Sequence, residues 1–340
     1  MLNYKMKNLV WIVTLLSLPA VVHADNTASK PVLVSHQCIW NEAPHNAFTD
    51  LVRFDDRWYC VFREGSKHVS KDGALRVLTS THGDRWSSAA LITSKDSDLR
   101  DAKITVTPEG RLMLLGAEAI DSPAGRQHQS LVWFSENGTD WSDKRKVGDV
   151  DNWLWRTTWH RNKVYGFGYD TGKGRGLKFY GSADGKSFER LIAKVNVEGT
   201  YPNETSMAFL DDDTAYCLLR QDGEPKQGYL GKSRPPYKQW HWTKLNIRIG
   251  GPDMIQLPDD RIMAAVRLYD KPVRTSLCWL DLEQGTLTEA LKLPSGGDTS
   301  YAGMVWHDDM LWVSYYSSHE GKTSIYLAKV RFDSDHGDKK

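Results

Sequence analysis

Residues Gly297–Gly321 read GDTSYAGMVWHDDMLWVSYYSSHEG, and the rest of the chain repeats their pattern. An apolar run from Tyr301 to Trp306 meets the turn His307-Asp308-Asp309 and returns as a second apolar run, Met310 to Tyr316. Two such runs about a short polar turn predict a β-hairpin. Tyr301, Gly303 and Val305 point one way, and Ala302, Met304 and Trp306 the other, so neither face is polar. A strand of an open antiparallel sheet alternates apolar with polar, so this hairpin is expected to be covered on both sides.

The shape returns five times upstream, with tips at Asp56, Gly110, Asn162, Asp213 and Asp260 matching Asp309. The flanks read LVRF-DD-RWYCVF, ITVT-PEG-RLMLLG, TTWH-RN-KVYGFG, MAFL-DDD-TAYCLL, MIQL-PDD-RIMAAV and GMVW-HDD-MLWVSY. By subtraction the tips lie 54, 52, 51, 47 and 49 residues apart, a period in the range of solenoids, propellers and arrays. The period runs on without a Pro/Gly/Ser linker, so residues 25–333 are expected to form one closed domain, followed by a frayed polar tail at 334–340.

Residues 1–24 carry Lys5 and Lys7 before an apolar stretch from Leu9 to Leu18 and end on Val22-His23-Ala24. They read as a secretory signal peptide, too short and wrongly flanked for an anchor. The mature protein is expected in the periplasm or outside the cell, with no membrane insertion. Without that segment 316 residues carry 42 Lys plus Arg against 43 acidic residues, which leaves no electrostatic footprint for nucleic acid. Cys38, Cys60, Cys217 and Cys278 fall in predicted strands without zinc spacing, and read as small buried hydrophobes with at most one bridge. No metal or other cofactor is implied, and the oligomeric state is left open.

A third strand in each unit ends in a recurrent turn: STHGDRW (Ser80–Trp86), SENGTDW (Ser135–Trp141) and SADGKSF (Ser182–Phe188), with a looser SRPPYKQW at Ser233–Trp240. The short polar side chain bonds the turn backbone, Gly takes the positive φ, and the aromatic packs inward. These turns resemble the Asp-box (BNR repeat) of the sialidase, or neuraminidase, superfamily, one residue shorter between Asp and Gly than the usual form. The box speaks for fold more than for function. Six units of four strands imply an all-β, six-bladed β-propeller. The last unit supplies only three strands, so its outer strand is expected from Pro31 to Trp40.

In a propeller, the starts of the inner strands and the ends of their partners converge on one mouth of the channel. Here they carry Asp50, Arg100-Asp101, Trp155-Arg156, Glu204, Asp253 and Tyr301, with Arg63, Arg220, Arg267 and His319 at the partner ends. Guanidiniums aimed at one spot repel unless an anion sits there, so the mouth expects an acidic ligand.

The order of these residues is similar to that in sialidases, which place a Glu on the fourth blade, an Arg on its partner strand, an Arg on the fifth and a Tyr on the sixth. Glu204, Arg220, Arg267 and Tyr301 occupy those places. The resemblance implies retaining hydrolysis of a terminal α-linked sialic acid. Tyr301 would be the nucleophile, Glu204 its base and an Asp the acid/base, with Asp72 ranked narrowly before Asp101 and Asp50. Arg220, Arg267 and a third arginine would hold the substrate carboxylate. The family's opening Phe/Tyr-Arg-Ile-Pro motif is replaced here by HNAFTDLVRF, so Arg63 or Arg100 would have to substitute. Arg156, Trp155, Asp253 and His319 are further candidates for substrate contact. Alternatives are a hydrolase or lyase of the same fold acting on another acidic sugar, and a carbohydrate-binding propeller without catalysis.

Overall fold

The repeated hairpins form the inner halves of six four-stranded antiparallel blades. The computed structural model describes residues 30–95, 97–122, 125–172 and 174–333, so the proposed signal segment and tail lie outside it. The inner strands are His45–Phe54, Asp98–Val106, Asn152–His160, Pro202–Phe209, Ile249–Gln256 and Thr299–His307, in blades one to six. Blades one to five each run outward in chain order. Blade six is completed as anticipated: Lys30–Trp40 pairs antiparallel with Ser324–Asp333, from Lys30↔Asp333 to Trp40↔Ile325. No helix occurs among the described residues.

The hairpin tips explain their Asp, Asn and Gly residues. Asp55-Asp56, Arg161-Asn162 and Asp308-Asp309 have positive φ at both positions, the two-residue turn whose twist matches the flanking strands. The other three tips have a single left-handed residue each, Gly110, Asp213 and Asp260. Both kinds favour residues that tolerate the left-handed region.

Each recurrent third-strand turn is a joint between blades. Ser80, Ser135 and Ser182 accept from the N–H of Gly83, Gly138 and Gly185 through Oγ, at 2.9, 2.8 and 3.0 Å. Asn137 and Asp184 each cap two further backbone N–H groups. A Cβ on Gly138 would lie 2.1 Å from the Tyr59 ring of blade one, and φ there is +76°. Gly138→Ala is therefore expected to cost about 2–4 kcal/mol, from left-handed strain plus overpacking. Urea unfolding monitored by Trp fluorescence would check it, and an unchanged midpoint would contradict the packing argument.

The core lies between blades rather than within one, as the apolar character of both strand faces requires. Trp58 of blade one stacks on Trp312 of blade six at 4.2 Å across the closing seam. Cys60, Cys217 and Cys278 are buried, Cys38 is exposed, and all four are free thiols.

All six inner strands share one irregularity. The register with the second strand slips between Ala47 and Asp50, Arg100 and Lys103, Leu154 and Arg156, Pro202 and Thr205, Gly250 and Asp253, and Ser300 and Gly303. These are β-bulges, which re-aim side chains at sheet edges and beside active sites.

Candidate active site

The bulges bring six residues around the channel mouth: Phe48, Asp101, Trp155, Glu204, Gly251 and Tyr301. Polar and non-polar positions alternate around the ring, with Asp101, Glu204 and Tyr301 on blades two, four and six. Phe48, Asp101 and Tyr301 sit at φ of 66°, 51° and 55°, a region costly for residues with a Cβ. Such strain collects where a side chain must be held in one place.

The centre of the site is a three-residue contact. The Tyr301 hydroxyl donates to Glu204 Oε1 at 2.5 Å and accepts from Arg220 Nη1 at 3.0 Å. The same Arg220 nitrogen reaches Glu204 Oε2 at 2.7 Å, while Nη2 pairs with Asp222 at 2.9 Å. Gly251 N–H donates to Glu204 Oε2 at 2.9 Å. Only glycine fits at 251, because φ is +51° and a Cβ would come within 2.7 Å of the Tyr301 ring. Burial pushes the Tyr301 hydroxyl well above its usual pKa, and the Glu204 charge adds to it against Arg220 and Arg267. The phenol is thus neutral at rest, with an acceptor for its proton and a cation for the charge that follows.

These groups line a cavity of about 340 Å³ with Phe48, His68, Arg100, Asp101, Arg126, His128, Trp153, Tyr169, Tyr201 and Asp222. Asp101 accepts no hydrogen bond among the described residues, and burial raises its carboxyl above the ordinary range against the pull of Arg100 and Lys103. A carboxyl so placed is fitted to give a proton. Of the three candidate acids, Asp101 alone lines this cavity. Asp72 is exposed on the loop after blade one's second strand, where it accepts from Ser66 N–H and Oγ at 2.9 and 3.0 Å.

Asp50 lies one layer deeper, in a buried plug that closes the channel beneath the site. Arg156 Nη1 pairs with Asp253 at 2.7 Å and approaches Asp50 at 3.4 Å. Arg156 Nη2 donates to Ala302 O at 2.8 Å, Lys103 Nζ to Thr49 O and Ala102 O at 3.1 Å each, and Thr49 Oγ1 to Tyr301 O at 2.9 Å. The plug therefore grips the backbone at the Asp101 and Tyr301 bulges. Burial, with Arg156 beside it, pulls the Lys103 ammonium down to about 8, and burial raises the Asp253 carboxyl. Arg156 and Asp253, expected at the substrate, belong to this plug. Trp155 lies between the layers, its ring 5.2 Å from Tyr301 and 5.0 Å from Lys103 Nζ.

The remaining candidates separate. Arg63 is fully buried away from the cavity, held by Asp98 at 2.8 Å and by Lys67 O and Ser70 of the following loop. Arg267 stands behind Tyr301, 5.3 Å from its ring, and bonds Thr299 O, Asp298 and Tyr316. His319 faces His36 and Tyr326 rather than the mouth. Arg100 is in the mouth, with Nη1 on His68 O and Asp98. Sequence reasoning missed Arg126, Asp222, Tyr201 and Phe48. Arg126 escaped because blade two's second strand runs to Ser122, past Glu118, and the third, from Gly125, brings Arg126 and His128 to the cavity.

One group among the described residues has the donors and spacing to hold a metal ion: His45, His68 and Asp298, with ligating atoms within 4.8 Å of one another. Asp298 is engaged there by His68 at 2.8 Å, Tyr316 at 2.7 Å and Arg267 at 3.1 Å.

No family model matches the sequence, and no curated protein matches it either. Solved structures do. A protein of unknown function from Dyadobacter fermentans superposes with a TM-score of 0.79 at 17% identity, over 89% of this chain and 100% of that one. The GH93 α-L-arabinofuranosidase of Fusarium graminearum gives 0.69 at 13%, over 88% and 98%. The NanB sialidase of Streptococcus pneumoniae gives 0.65 at 10%, over 86% and 70%. At such identities the likeness carries the fold, and the chain is a six-bladed β-propeller of the form seen in sialidases and GH93 arabinofuranosidases.

Proposed function

We propose that this protein is an exo-acting, retaining glycoside hydrolase of acidic sugars, sialic acid first among them. The observation that carries the reading is the Tyr301 hydroxyl held 2.5 Å from Glu204 and 3.0 Å from Arg220. A carboxylate nucleophile would be repelled by the substrate's own carboxylate, whereas a neutral tyrosine is not. Tyr301 Oη attacks the anomeric carbon as its proton passes to Glu204, and Asp101 protonates the departing glycosidic oxygen. A water that gives its proton to Asp101 then displaces the tyrosine, and Glu204 returns the first proton. Two inversions leave the configuration retained. Action outside the cytoplasm is part of the proposal and rests on residues 1–24. The glycoside hydrolases among the structural neighbours support the reaction class.

A second reading, a uronic acid or other acidic sugar in place of sialic acid, is favoured by one observation. The blade-one bulge offers Phe48 to the cavity, and Arg63 is committed to Asp98. The test is release of 4-methylumbelliferone from its α-sialoside and its glucuronides by the mature protein. Cleavage of the sialoside is the expected result, and of a glucuronide alone the result of the second reading. Turnover should fall as pH rises through the elevated Asp101 pKa, because the general acid is then deprotonated. A folded protein that cleaves neither would sink the reading.

A further inference from the structure

The cavity is electrically lopsided. On the Tyr301 side, Arg220 is matched by Glu204 and Asp222, and Asp222 is shared with Arg248 at 3.1 Å. Arg267 is matched by Asp298 and contributes nothing to the cavity lining. On the blade-two side three guanidiniums share one carboxylate. Asp98, almost wholly buried, meets Arg63 through Oδ1, while its Oδ2 takes Arg100 Nη1 at 3.1 Å and Arg126 Nη2 at 3.3 Å. Arg63 alone balances the charge of that carboxylate, through two nitrogens on Oδ1. Asp121, 3.8 Å from Arg126, is half exposed and screened by water, and burial drives Asp101 toward its neutral form.

We propose that the substrate's carboxylate is held by Arg100 and Arg126, both on blade two, and not by Arg220 and Arg267. This deepens the acidic-sugar reading and rests on it. Both guanidiniums end on one oxygen of Asp98, so they stand side by side, and each spends a single terminal nitrogen there. Arg100 Nη2 and Arg126 Nη1 have no partner among the described residues and belong to side chains that line the cavity. Two adjacent guanidinium edges with surplus positive charge suit a carboxylate bridging them. Phe48 supports the arrangement: Arg100 lies 5.4 Å over its ring, and the ring packs on Tyr301 and Tyr316 at 5.1 and 5.4 Å, covering the way to Arg267.

The experiment is calorimetric binding of N-acetylneuraminic acid and of glucuronic acid, each beside its uncharged methyl ester, to wild type, Arg126→Gln and Arg267→Gln. Arg126 is one-third exposed near a hairpin end, so its replacement should leave the fold intact, which thermal unfolding verifies. The wild type is expected to prefer an acid over its ester, and Arg126→Gln to lose about 10- to 100-fold of affinity for that acid and little for the ester, the scale of hydrogen bonds to a charged group. Acid preference kept in Arg126→Gln but lost in Arg267→Gln would overturn the assignment and leave the hydrolase reading standing. A wild type that does not distinguish acid from ester would overturn both the assignment and the acidic-sugar reading.

Discussion

Replacing Tyr301 with Phe is expected to lower kcat on the acidic glycoside by on the order of 10³-fold or more, with KM within a few-fold of wild type. The substitution removes one oxygen from a ring already fixed by Phe48, Trp155 and Tyr316, so the cavity keeps its shape. What disappears is the atom proposed to receive the anomeric carbon. Glu204→Gln should cost roughly 10²- to 10⁴-fold, since the phenol then lacks a base while Arg220 still faces it. Steady-state kinetics on both variants decide the matter. A Tyr301→Phe enzyme within about tenfold of wild-type kcat would take Tyr301 out of the chemistry.

The second large effect is expected far from any substrate. Arg156→Met should destabilise the fold by about 3–5 kcal/mol, because it leaves Asp50 and Asp253 buried with Lys103 as the remaining cation of the plug. Burial works against the Arg156 charge, yet Asp253 and Asp50 more than offset it, so Arg156 is firmly protonated and its removal unbalances the plug. The double variant Arg156→Met/Asp253→Leu deletes a charge of each sign and should recover more than half of the loss. Urea unfolding of the single and double variants checks both statements. A single variant as stable as wild type would mean that water already reaches the plug. Because Arg156 also holds Ala302 O, kcat of the single variant should fall even where the protein remains folded.

The fold was legible because its signal is repeated six times. Hairpin tips, the shared third-strand turns and a missing outer strand each pointed to a ring closed by residues near the N-terminus. The site was legible in part. Glu204, Arg220 and Tyr301 stand at strand ends whose place in a propeller follows from the period alone. Strand position does not say which partner a long side chain will choose, and Arg63 chose Asp98, 35 residues away. Nor does sequence announce a bulge built on Phe48 or Tyr301, since neither is a residue that favours positive φ. Without the bulges, Asp50, Arg156 and Asp253 read as neighbours of the mouth, whereas the register slip sets them one layer below it. Asp72 was drawn in by its place after blade one's second strand, but its turn folds back on Ser66.

The pairing of Lys30–Trp40 with Ser324–Asp333 has a kinetic side. It is the least local strand pairing among the described residues, and closing a loop of some 300 residues costs roughly 5 kcal/mol of chain entropy beyond a constant. Five blades can assemble from neighbours in the chain, whereas the sixth, with three consecutive strands of its own, must wait for its outer strand from a distant segment. That sixth blade is the one that supplies Tyr301. The hydroxyl proposed as the nucleophile thus sits in the one blade whose outer strand is borrowed from the other end of the chain.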